Sequence, residues 1–301
     1  MSEAAALQWH QPVMGAEVLE ALNPRPGATV VDGTVGTGGH SLMILPRLLP
    51  DGRLVGIERD QDALELARKR LADFEPQATL LHGNYRRLPA ILQELGIPRA
   101  DGLLLDLGIS SLQVDRAERG FSFSREGPLD MRMDREQEET AEAVVNELAA
   151  DELALLLETL GEERFARRIA RAIVRAREDG RLTTTTQLAR VVAGAVPPAA
   201  RHGRLHPATR TFQALRMAVN DELGALETLL GHLDAVLSPG GRAVIITFHS
   251  LEDRLVKRAF LSGARERRWT VLTKKPARPS AEEVARNPRA RSAKLRAIEK
   301  R

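Results

Sequence analysis

Asp32, Glu58, Tyr85, Asp106 and His249 each end a run of residues that reads as a β-strand. In an open parallel sheet the carboxyl ends of the strands share one edge, and ligands bind there, so five polar groups converge. Between the first two of them lie Gly33, Gly36, Gly38 and Gly39, followed by His40 and Ser41. A strand, a glycine loop and a helix in that order bring backbone directly against a ligand. A loop for nucleoside triphosphates needs Lys and Ser or Thr after its last glycine, and here His40 and Ser41 follow. The dinucleotide pattern G-x-G-x-x-G fits in part, because Gly36 and Gly38 are present but Ser41 takes the third place. Glu58, about twenty residues beyond the loop, can accept from both hydroxyls of a ribose, which suits any adenine nucleoside. Asp32 discriminates among these, since a carboxylate at the strand tip repels a pyrophosphate and favours the cationic amino-acid end of S-adenosylmethionine. A plain corner with solvated acids uses the same residues.

Asp106 and the following Leu107-Gly-Ile-Ser110-Ser111 sit on the neighbouring strand. A cytosine amine is a poor nucleophile because its lone pair is delocalised into the ring. Acceptors around its two hydrogens make the nitrogen more pyramidal and aim it at an electrophilic methyl. The alternative for Asp106 is an ordinary loop cap. Tyr85 suits an adenine ring or packing beneath a loop. His249 has no partner in view and reads as a packed or hydrogen-bonded histidine more readily than as a proton acceptor.

These groups need a scaffold of alternating strands and helices. Runs at 29–32, 53–57, 78–81, 100–106 and 242–248 read as strands, with helices between them, which predicts an α/β, Rossmann-like, doubly wound sheet. A long helix is expected over 211–237 and a helix N-cap at Ser250. Two edge strands are expected at 269–273 and 293–298, joined by a basic loop. Past Gly108 the alternation breaks into an irregular segment to Asp134, and helices dominate to Val196. The reading is therefore two domains, 1–114 with 206–301 as the cofactor-binding one and 115–205 as a helical insert. Within the insert Phe165, Ile169 and Ile173 make an apolar stripe, beside which Arg164, Arg168, Arg171 and Arg175 form a second, basic one, either paired to local Glu or free.

The 301 residues contain no cysteine, which excludes a disulfide framework and thiolate metal sites. No His/Asp/Glu set has recognised metal-ligand spacing, so no metal is expected. With no apolar run of eighteen or more and no signal-peptide pattern near Met1, a cytoplasmic protein without membrane contact is expected. The net charge of +3 hides an asymmetry, because residues 265–301 carry +9. A basic tail suits a polyanionic partner, or is simply solvated.

Longer blocks carry a resemblance: His10-x-Pro-Val, Asp32-Gly-Thr-x-Gly-x-Gly-Gly-His-Ser41, Leu105-Asp-Leu-Gly-Ile-Ser-Ser111, Arg119-Gly-Phe-Ser-Phe123 and Gly127-Pro-Leu-Asp-Met-Arg-Met-Asp134. To these add His206-Pro-Ala-Thr-Arg-Thr-Phe-Gln-Ala-Leu-Arg216, Phe248-His-Ser-Leu-Glu-Asp-Arg254 and Asn287-Pro-Arg-x-Arg-Ser-Ala-Lys-Leu-Arg296. Together they resemble the ribosomal RNA small-subunit methyltransferase H family. The resemblance implies a class I methyltransferase that uses S-adenosylmethionine to methylate N4 of cytidine 1402 in 16S ribosomal RNA, with the insert gripping the RNA. It implies that Asp32, Gly36, Gly38, Gly39, His40, Glu58, Tyr85, Asp106 and Gln113 hold the cofactor. Asp106, Ser110 and Ser111 are then the catalytic set. Phe121, Phe123, Arg132, Arg210, His249, Arg254, Arg289 and Arg291 are the RNA contacts. The partner is the small ribosomal subunit, and a homodimer is compatible. Glu58 stands where the family pattern has Asp, Tyr85 where it has Phe and Leu112 where it has Pro. Two alternatives stay open, a nucleic-acid-binding or assembly protein without turnover and a nicotinamide-dependent oxidoreductase.

Overall fold

The computed structural model describes residues 11–201 and 206–301; His10 and the side chain of Ser111 lie outside that description. The chain divides into two compact units, residues 1–108 with 223–301 and residues 109–222.

The first unit is a seven-stranded sheet. Its strands are β1 (Thr29–Asp32), β2 (Arg53–Glu58), β3 (Ala78–His82), β4 (Ala100–Asp106), β5 (Leu237–Thr247), β6 (Trp269–Val271) and β7 (Lys294–Lys300), in the order β3-β2-β1-β4-β5-β7-β6. The five strands from β3 to β5 run parallel, while β7 is antiparallel to both β5 and β6. Each interior strand alternates its side chains between two apolar layers, as a sheet covered on both faces requires. Val30, Leu104, Val244 and Ile246 face one layer, which includes residues of α1 (Gly15–Leu22) and α2 (Gly39–Leu48). Val31, Leu103, Leu105 and Ile245 face the other. That layer draws on α4 (Leu88–Glu94), α12 (Glu222–Val236) and α13 (Ser250–Arg265). Between β2 and β3 lies α3 (Gln61–Arg70), capped by the Asp60 carboxylate, which accepts from the Asp62 and Ala63 amides.

The second unit begins with the short α5 (Ser111–Asp115) and an irregular stretch, then α6 (Ala141–Glu147), α7 (Ala150–Gly161), α8 (Ala166–Glu178), α9 (Thr185–Ala195), α10 (Pro198–Arg201) and α11 (Thr209–Val219). Its own core includes Val145, Leu157, Ile169, Ile173, Leu188 and Leu215. Among the described residues no helix is long and apolar enough to cross a membrane.

Four expectations need correction. The helix read over 211–237 is two, α11 and α12, parted at Asn220 and at Asp221, whose φ is +43°. The break lies next to the change of unit: α11 buries Phe212, Leu215 and Val219 in the helical core, so that unit runs to 222 rather than 205, and it opens at 109 rather than 115. The strand at 294–300 is interior, leaving β6 alone at that edge, and a short helix α14 (Ala281–Arg286) interrupts the loop between them. Finally, β5 starts at Leu237, upstream of the expected Arg242.

Candidate active site

The carboxyl edge of the sheet is built from β1, β2, β4 and β5 and the loops after them. Asp32 ends β1 at 1% exposure, its Oδ2 accepting from the Ser41 hydroxyl at 2.7 Å and its Oδ1 from the Thr34 amide at 3.2 Å. Ser41, which breaks the dinucleotide pattern, thus fixes the first acid. Burial raises the Asp32 pKa, against the opposing pull of His40 and the Ser41 bond. Gly36 and Gly38 have φ of +55° and +83°, left-handed conformations that side chains disfavour, and Gly38 is the N-cap of α2.

Glu58 ends β2 and braces this loop. Its Oε2 accepts from the Gly36 amide at 2.7 Å and its Oε1 from the Asp60 amide at 2.9 Å, while burial pushes its pKa up to about 7. His40 is buried in the first turn of α2, with Nε2 2.9 Å from the Val13 carbonyl. Only an N–H can bond a carbonyl, so Nε2 carries a proton and Nδ1 is left facing Asp106 Oδ2 at 3.8 Å.

Asp106 ends β4. Its amide donates to Thr34 Oγ1 at 2.7 Å, whereas its Oδ1 is buried and accepts no hydrogen bond among the described residues. Burial pushes its pKa up to about 6, aided by the charges of Asp32 and Glu252 and opposed by His40 and the Gly108 amide. Sequence reasoning missed Thr34, which ties the two acids together; a hydroxyl two residues past a strand-end Asp was the available signal. It also missed Glu252, whose carboxylate accepts from the Phe248 amide at 2.9 Å and lies 3.0 Å from His249 Nε2. His249 itself, not Ser250, is the N-cap of α13.

The structure brings Asp32, His40 and Asp106 into mutual electrostatic contact and sets Glu58 on the same loop. Tyr85 is buried in the core shared with Leu88 and Leu105, which is the packing alternative. In the second unit Ser110 Oγ accepts from the Leu112 amide and Gln113 Oε1 from the Ser110 amide, so both cap α5. Phe121 is buried in the helical core, where it packs rather than presenting a free ring. Phe123 stacks on His206 at 4.6 Å and meets Phe212 edge-on. Arg132 is not a free cation: Nε and Nη2 grip Asp130 at 2.8 and 2.9 Å, and Nη1 donates to the carbonyls of Arg135 and Gln137. Arg210, Arg254, Arg289 and Arg291 are exposed, Arg210 donating to the Glu162 carbonyl at 2.7 Å.

A five-strand parallel sheet extended by an antiparallel β7, with a glycine loop after β1 and acids closing β1, β2 and β4, defines a Rossmann-like methyltransferase of class I. Residues 7–301 match the MraW methylase family, and the chain belongs to it. It is 52% identical to the ribosomal RNA small subunit methyltransferase H of Geobacter sulfurreducens, over 97% of this chain and 98% of that one. The proteins of the same name from Syntrophotalea carbinolica and Symbiobacterium thermophilum are 51% and 48% identical, the matches covering 96% and 97% of this chain and 97% and 96% of theirs.

Proposed function

We propose that this chain transfers a methyl group from S-adenosylmethionine to the exocyclic N4 amine of cytidine 1402 in 16S ribosomal RNA. The relatives' name supports the RNA and the subunit, and the motif blocks support the amine and its position. The observation that carries the chemistry is Asp106 Oδ1, a buried acceptor to which nothing described donates. An unmatched buried carboxylate oxygen is costly, and an N–H of the substrate amine relieves it.

The residues present suit the methyl donor, which when bound supplies an electrophilic methyl on a sulfonium. Three carboxylates whose pKa values are raised by burial favour a cationic ligand, because its charge returns them to the ionised form. Asp32, Gly38, Gly39 and His40 would hold the amino-acid end, and Glu58 the ribose hydroxyls. Asp106 accepts from the amine, raises the electron density on its nitrogen and takes the proton that the nitrogen sheds as its bond to carbon forms. The helical unit serves RNA recognition.

The test incubates the protein with labelled S-adenosylmethionine and small subunits or bare 16S RNA, then digests the RNA and analyses its nucleosides. Label in N4-methylcytidine at position 1402 is expected. RNA binding without label points instead to an assembly factor, and label elsewhere overturns the assignment of the amine.

A further inference from the structure

Helix α8 carries a cationic face that the structure leaves uncompensated. From Arg164 to Arg177 the chain has six arginines and no acidic residue. At about 100° per residue, Arg168, Arg171 and Arg175 fall within roughly 60° of arc, and Arg164 stands in the turn just before the helix. All four are exposed, whereas Ala166, Ile169, Ala170 and Ile173 on the opposite side are buried in the helical core. The stripe therefore points straight away from its own unit. From Arg168 to Arg175, seven steps of about 1.5 Å each, it extends roughly 10 Å along the helix.

Pairing to local Glu, the simpler expectation for such a stripe, is not what the structure has. Among the described residues no carboxylate makes an ion pair with any of the four; their interactions are Arg164 over the Phe165 ring and Arg171 Nε with the Arg167 carbonyl. Asp151 and Glu158 of α7 share a hollow with Arg167 and Arg171 at one border of the stripe, beside the exposed Leu155, and Glu178 and Asp179 close the helix one turn past Arg175 without an ion pair to it among the described residues. Like charges three and four positions apart on a helix destabilise it. An isolated amphipathic helix gains nothing from such a face, and a polyanion removes the repulsion.

We infer that the outer face of α8 is a docking surface for the sugar-phosphate backbone of RNA. The inference rests on the proposed function and adds the surface that grips the substrate. Guanidinium groups bind phosphate oxygens through paired N–H donors, and a row of them follows a strand without reading its bases. Arg132, which the sequence offers for this work, is already held by Asp130, and the α8 arginines are not.

The experiment uses the full chain with Arg168, Arg171 and Arg175 all replaced by Gln, a residue of similar helix propensity. Circular dichroism and S-adenosylmethionine affinity report whether the variant is folded. Binding to 16S RNA is measured at several salt concentrations, and methyl transfer to small subunits is measured in parallel. Each phosphate that the variant no longer neutralises lowers the slope of log affinity against log salt by about 0.7 to 0.9, so a decrease of about two to three is expected. KM for the subunit should rise at least about tenfold at physiological salt with kcat nearly unchanged. An unchanged slope overturns the inference, as does a loss of affinity for whole subunits with none for protein-free RNA, which would assign the face to a protein. If wild type binds RNA through α8 yet methylates nothing, the proposed function fails while this surface stands.

Discussion

Replacing Asp106 by Asn should make the ligand-free protein more stable and inactive at once. The carboxyl is pushed from 3.8 to about 6, chiefly by burial. For an acid whose folded-state pKa lies above its unfolded one, the favourable contribution is whole below the unfolded value and is lost as pH rises through the folded one. The window is therefore about pH 4 to 6. At about 1.4 kcal/mol per pKa unit, a difference of roughly two makes ionised Asp106 unfavourable by at most about 3 kcal/mol above pH 7. Its side chain is 21% exposed, and solvent reduces this to about 1–3 kcal/mol. Asn keeps the shape and never ionises, so in urea unfolding the variant should exceed wild type by about that amount at pH 8 and by about a third of it at pH 4.5. Methyl transfer should fall at least about a hundredfold, with S-adenosylmethionine binding still measurable. A stability gain equal at both pH values would show that charge is not its cause. A loss at both would mean that the carboxylate satisfies bonds that Asn cannot make, and the reasoning would be refuted.

S-adenosylmethionine affinity should rise as pH passes through about 7, because Glu58, raised to about 7, must ionise to receive the ribose hydroxyl donors. Calorimetry in buffers of different ionisation enthalpy should then show net proton release, and binding without proton exchange would contradict the raised value. Gly120→Ala should destabilise the helical unit by at least about 2 kcal/mol, since φ is +73° and the added Cβ would lie 2.2 Å from the Pro128 carbonyl oxygen. Hydrogen exchange of α7, α8 and α9 reads this directly, and unchanged protection would show that the turn relaxes without cost.

The sheet and its loaded edge are legible because β-branched and leucine runs end in acids and glycines, signals carried by neighbouring residues. What escapes a linear reading depends on residues far apart in the chain. The apolar pattern runs unbroken through Asn220 and Asp221, yet the Asn220 side chain accepts from the Met133 amide and donates to the Met131 carbonyl, holding the end of α11 in the helical core. Strand β7 reads as an edge because Lys294, Arg296 and Lys300 punctuate it. It is interior because Asp253 takes the first two at 3.0 and 2.7 Å, and Asp234 and the Leu237 carbonyl take the third. Arg132 is the exception: its partner Asp130 is only two residues upstream, and what a linear scan misses there is the side-chain geometry that lets the guanidinium fold back onto it.

The placement of β7 between β5 and β6 bears on how the molecule assembles during synthesis. Among the described residues, 269–271 pair with the sheet only through β7, so they wait until residues 294–300 have been made. Until then the N–H and C=O groups on one side of β5 are an open template, to which any passing extended segment can add. Nascent chains halted between these two stretches should therefore be the ones that chaperones retain.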